Sequence, residues 1–111
     1  MEGSKLLELA STYLPEDKIP LVKQAYEFAA EAHQGQVRKT GEPYLEHPLS
    51  AAMILAELHL DAETLAAALL HDVPEDCGVS LEEIETKFGL PVVKLVDGVT
   101  KLNKLASRAR T

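Results

Sequence analysis

Ala67-Ala68-Leu69-Leu70-His71-Asp72-Val73-Pro74-Glu75-Asp76 is the stretch on which the reading of this chain turns. An apolar run of helical character ends in a His-Asp pair, and two further carboxylates come three and four residues after Asp72. Packing alone does not ask for this, because Asp and Glu are seldom fully buried unless they are paired or bound to a metal. A neutral imidazole beside a carboxylate is a donor pair suited to Mn²⁺, Fe²⁺ or Zn²⁺. The competing reading is a solvated helix end. Four such groups at a helix C-terminus would oppose the dipole and repel one another unless a cation sat among them, and that favours the metal.

Outward from this corner, the composition predicts an all-helical chain. Of 111 residues 46% are apolar but only 5% aromatic, so the core must be aliphatic. Leu, Ala, Glu and Lys dominate, and the alternation of Val, Ile and Thr that marks strands is missing. The length allows one domain at most. No run is long and apolar enough to span a bilayer, and the N-terminus lacks a signal-peptide core. The single cysteine, Cys77, cannot form an internal disulfide, which makes the cytoplasm the expected compartment. Eleven basic against 18 acidic residues give a net charge of −7. That argues against general nucleic-acid binding but not against an anionic small molecule held by a metal and local cations.

Six helices are expected. The first covers about residues 4 to 14, with Ser4 as its cap and Pro15 beyond its end. The second starts near Asp17, tolerates Pro20 in its first turn, and buries Leu21, Ala25, Phe28, Ala29 and Ala32. It stops at His33-Gln34-Gly35, where His33 could cap the helix, join the core or ligate a metal; its position favours the cap or a supporting role. Next comes a turn-rich loop, in which Arg38 and Lys39 could stack on a base or pair with phosphate. His47-Pro48 opens the third helix, which carries Leu49, Ala52, Met53, Ala56 and Leu60 on its apolar face. At a helix N-terminus the dipole favours the neutral, metal-binding form of His47. His59 near the end of that helix reads as a surface or cap residue.

Asp61 is expected to cap the fourth helix, Ala62 to about Asp72, which forms an antiparallel hairpin with the third. The start of one helix and the end of the other are then neighbours, which joins His47 and His71 in one site. Val73-Pro74 interrupts the helix and holds Glu75 and Asp76 on a turn. Ser80-Leu81-Glu82-Glu83 is a capping box for a fifth helix ending at Phe88-Gly89. Pro91 starts a sixth with Val92, Leu95, Val96, Val99 and Leu102 inward. Around a divalent ion on His47, His71 and Asp72, Glu75 and Asp76 could orient or deprotonate a water.

Four blocks of the sequence carry a resemblance: residues 34–44 (Gln34 to Tyr44, with Arg38-Lys39-Thr40), His47-Pro48, residues 69–76 and residues 95–102. They resemble, in order and spacing, the hydrolase domain of the RelA/SpoT family of (p)ppGpp enzymes, within the HD superfamily of metal-dependent phosphohydrolases. The likeness runs from about residue 17 to residue 105. It implies an all-α, HD-domain-like helical bundle that removes the 3′-pyrophosphate of ppGpp or pppGpp, giving GDP or GTP and pyrophosphate, usually with Mn²⁺. By position, His47, His71 and Asp72 match three metal ligands and Glu75 and Asp76 the acidic pair that activates water. Arg38, Lys39 and Thr40 match the nucleotide-holding loop, with Arg38 against the base. Pro74, where many relatives have an aliphatic residue, should stiffen the turn.

The resemblance also implies a fourth ligand, an aspartate in a later helix, and the 111 residues stop before it. Asp97 belongs to another matching block and is not that ligand. Residues 1–111 are therefore expected to be a truncated hydrolase domain of a longer protein that also carries a synthetase domain. Such a piece is expected to expose apolar surface, to self-associate and to turn over poorly. Two other readings stand beside this one: a non-catalytic guanine-nucleotide-binding or regulatory module, and a different HD-superfamily phosphohydrolase, against which the Arg38–Tyr44 loop argues.

Overall fold

The computed structural model describes the backbone of residues 2–33, 46–71, 73–76 and 78–109, and the side chains of residues 4–33, 49–71, 73–74 and 78–99. Every regular element among them is helical. The order is α1 (Glu2–Ser11), a 3₁₀ turn (Glu16–Lys18), α2 (Ile19–Ala32), α3 (Glu46–Glu57), α4 (Ala62–Leu70), α5 (Val73–Asp76), α6 (Leu81–Phe88) and α7 (Leu90–Ala109). The all-α expectation holds, with the four-residue helix α5 inserted where a plain turn was expected.

Helix α4 is the hub. Six of its nine residues, Ala62, Leu65, Ala66, Ala67, Leu69 and Leu70, are buried, so it is apolar nearly all round and packs against α2, α3 and α7 at once. Its neighbours meet it with small side chains: Ala25 and Ala29 on α2, Ala52 and Ala56 on α3, all fully buried. Alanines four residues apart leave a shallow groove, and shallow grooves let helix axes approach closely. Leu6 and Ala10 of α1, Ile84 of α6 and Val92, Val93 and Val96 of α7 close the core.

The capping signals mostly act as expected. Asp61 accepts from the Thr64 amide (3.3 Å) and from its hydroxyl, and so starts α4. Ser80 Oγ accepts from the Glu83 amide (3.1 Å) and starts α6. Gly89 ends α6 with φ of 93°, a backbone that a side chain would strain. Pro20 lies in the first turn of α2.

The first helix departs from expectation. It begins at Glu2, which puts Ser4 inside it, and ends at Ser11. The hydroxyls of Ser11 and Thr12 donate to the carbonyls of Glu8 and Leu9 (2.8 and 2.6 Å), competing with the backbone just before Pro15. The buried stripe of α2 centres on Val22, Ala25 and Ala29, with Leu21, Phe28 and Ala32 only partly covered. Leu60 lies beyond α3 and is 36% exposed, and Leu95 of α7, expected inward, is 40% exposed. The expected Ala25 and Ala29 of α2 and Val92 and Val96 of α7 are buried, and Val22 and Val93 join them. α4 ends at Leu70 rather than Asp72.

Candidate metal and phosphate centre

The α3–α4 hairpin has two ends. At the linker end α3 closes in a Schellman arrangement: the His59 amide donates to the Ala56 carbonyl (3.0 Å) and the Leu60 amide to the Leu55 carbonyl (3.1 Å). His59 takes the left-handed position, φ of 60°, usually held by glycine. Its ring stacks on Tyr13 at 4.5 Å between centroids and 16° between planes, and the Tyr13 hydroxyl donates to the Leu60 carbonyl (2.7 Å). Burial, then the nearby Asp61 carboxylate, raises the Tyr13 pKa above its ordinary value. Lys18 pairs with Glu63 beside it at 3.0 Å. His59 is thus both exposed and a cap residue, as expected.

At the other end the hairpin carries the start of α3, with His47 in its first turn, and the end of α4, with His71 as its C-cap residue. α3 packs on α4 across a short link, as a hairpin requires. His71 is half-buried, and its Nδ1 lies 2.6 Å from the carbonyl oxygen of Ala68. A carbonyl oxygen only accepts, so Nδ1 carries the proton and donates. In that neutral tautomer Nε2 is the acceptor nitrogen. A histidine anchored through one ring nitrogen to a backbone carbonyl is a usual arrangement of a metal-ligating imidazole. On this observation His71 fits a divalent cation.

Glu75 and Asp76 lie on α5 directly after His71-Asp72, which places them by backbone alone. Val73 anchors α5 by burying its side chain fully, and Pro74 is half-buried. The side chains of His47, Asp72, Glu75 and Asp76, and all of Arg38, Lys39 and Thr40, lie outside the described residues. Among the described residues no three His, Cys, Asp or Glu side chains converge as a metal cage. His33 is the C-cap residue of α2 and only 4% exposed, its amide donating to the Ala29 carbonyl (3.0 Å). It is both cap and core. The Ala68 carbonyl is not legible in the sequence because a main-chain group leaves no residue signature; its position three residues before His71 is the only clue.

The described residues thus form an all-helical fold whose most buried helix ends at His71, with the short helix Val73–Asp76 following in the chain. The chain belongs to the HD domain family, which matches residues 25–111. It is also similar to curated relatives. One is the guanosine-3′,5′-bis(diphosphate) 3′-pyrophosphohydrolase of Vibrio cholerae, 53% identical over 105 residues, which is 95% of this chain and 15% of that protein. Another is the bifunctional (p)ppGpp synthase/hydrolase SpoT of Escherichia coli, 54% identical over 103 residues, 93% of this chain and 15% of that protein. The GTP pyrophosphokinase of Myxococcus xanthus is 50% identical over 99 residues, 89% of this chain and 13% of that protein. The chain therefore spans only about 15% of the length of the first two of these relatives. Among the described residues no helix is long and apolar enough to cross a membrane.

Proposed function

We propose that this chain contributes the metal-dependent hydrolase centre of a (p)ppGpp 3′-pyrophosphohydrolase. The observation that carries the reading is the His71 ring, held by the Ala68 carbonyl in the tautomer a metal ligand needs. It sits in a chain about half identical to proteins named for that activity. His47, His71 and Asp72 would hold the cation, with Mn²⁺ the proposed ion. When bound, the ion polarises a phosphoryl oxygen and lowers the pKa of a water. Glu75 and Asp76 orient that water and take its proton as its oxygen adds to the phosphorus next to the ribose 3′ oxygen. The bond from that phosphorus to the 3′ oxygen breaks, the 3′ oxygen gains a proton, and pyrophosphate leaves GDP or GTP behind. Arg38 stacks on guanine while Lys39 and Thr40 hold the sugar and phosphates. The proposed compartment is the cytoplasm, on the argument from the lone Cys77. Self-association is proposed through exposed Ile54, Leu58 and Leu90, which are 58%, 66% and 50% exposed.

The test is Mn²⁺-dependent release of pyrophosphate from ppGpp, by this chain and by a version extended through the next aspartate-bearing helix. Turnover by the longer chain, abolished by Glu75→Gln with metal still bound, is the expected result. Absence of turnover from both, with Mn²⁺ bound, would sink hydrolysis and leave a nucleotide-binding module.

A further inference from the structure

On the far side of α2 from α4's core contacts, a surface groove runs between α2 and α6. It comprises two adjoining hollows of about 290 and 340 Å³ that share Phe28, Glu31 and Lys87. The α2 wall is Gln24, Glu27, Phe28 and Glu31, spaced three and four residues apart and so on one helical face about 10 Å long. Its floor is aromatic: Phe28 and Phe88 meet edge to face, 5.5 Å between centroids and 82° between planes. Both rings are only half-buried. The rim is acidic, with Glu27 and Glu31 on one wall and Glu83 on the other, against the ammonium of Lys87.

That ammonium already shows what the groove attracts. Lys87 Nζ lies 5.2 Å from the Phe28 ring centroid, a cation resting on an aromatic face. Glu27 and Glu31, one helical turn apart, carry like charges, an arrangement that costs α2 stability and that an incoming cation would relieve. A ring floor with a carboxylate on each wall matches a segment that alternates aliphatic and basic side chains. The protein's charge of −7 draws the same kind of partner from a distance.

We propose that the α2–α6 groove is a docking site for a basic amphipathic segment of a separate polypeptide, whose apolar side chain covers Phe88 while its Lys or Arg residues pair with Glu27, Glu31 and Glu83. The partner's cation takes the place of Lys87 on the Phe28 face. This inference uses none of the residues proposed for phosphate chemistry and stands or falls apart from them.

The experiment titrates the 111-residue chain into a fluorescein-labelled peptide of alternating leucine and arginine and reads anisotropy. Glu27→Gln/Glu31→Gln is expected to weaken binding about fivefold or more, two partly solvated ion pairs being lost. Glu8→Gln/Glu57→Gln removes the same charge from exposed positions elsewhere and should change affinity less than about twofold. Lys87→Gln should tighten binding more than Lys23→Gln, because only Lys87 competes for the ring. Amide shifts in an NMR titration should cluster on residues 24–32 and 79–88. Equal losses from the two glutamate pairs would reduce the effect to general attraction and overturn the proposal, as would shifts scattered over the surface. A concentration-dependent dimer that shifts the same amides without peptide would assign the groove to a second copy instead.

Discussion

His59 and His71 close consecutive helices of one hairpin, yet the fold uses them in opposite ways. His59 sits in the left-handed cap position, stacked on Tyr13, among polar groups that are paired with one another. His71 stays in helical geometry, is tied to its own helix through the Ala68 carbonyl, and precedes Asp72, Glu75 and Asp76 in the chain. The first end is complete as a piece of structure. The second is followed in the sequence by a run of acceptors that the proposed cation would reconcile. A histidine at a helix end is thus diagnostic only through the residues beyond it: a new N-cap at Asp61 in one case, a run of acids in the other.

The largest test of this contrast attacks α4, which starts at one end and closes at the other. Leu65→Ala empties a fully buried site in α4 and should cost about 2–5 kcal/mol in urea unfolding, weakening both ends together. If metal binding survived undiminished at that cost, the two ends would not share a scaffold. A sharper cut is His71→Gln beside His59→Gln. The first should lower Mn²⁺ affinity by about 100-fold or more in isothermal titration, since it removes a proposed ligand outright where even an orienting partner is worth about 10–100-fold. The second should leave affinity unchanged; equal effects would erase the distinction.

Smaller is Asp61→Ala, expected to cost about 1 kcal/mol by removing the cap that starts α4 after the linker. It should leave metal binding intact, so a matched loss of affinity would tie the linker end to the site. The smallest effect is in pH. Tyr13 has a raised pKa in the fold, so above about pH 10 the unfolded chain releases its proton before the native one does. Its contribution is fully present below that pH and fades as pH rises through the folded pKa. Tyr13→Phe should flatten this alkaline decline in melting temperature. An unchanged decline would put its source elsewhere, Lys18 being the other group with a raised pKa there through its bond to Glu63.

Much of the fold was legible because helix signals are local. Asp61, Ser80, Gly89 and Pro20 set their boundaries through bonds within four residues, and the alternation of apolar residues needs only the helix's own period. The departures arise where neighbours decide. Val22 is more deeply buried than Leu21, and Leu95 is 40% exposed, because which part of an apolar stripe is covered depends on the helix packed against it. Ser4 falls inside α1 because nothing in its own chemistry prevents the preceding residues from continuing the helix.

For the candidate site, the sequence by itself determined the donor types, their order and their spacing after the apolar run: His47, then His71-Asp72, then Glu75-Asp76. Chemistry of that kind is carried by residue identity and can be read without a fold. Only the tertiary structure decided that α4 is packed at once by α2, α3 and α7, and that Glu75 and Asp76 ride on a helix whose first residue, Val73, is buried. It alone decided that the Ala68 carbonyl sets the tautomer of His71 and that Phe28 and Phe88 line a groove between helices far apart in the chain. The reason is physical: main-chain hydrogen bonds and contacts between distant helices depend on where backbones lie in space, which no single residue type encodes.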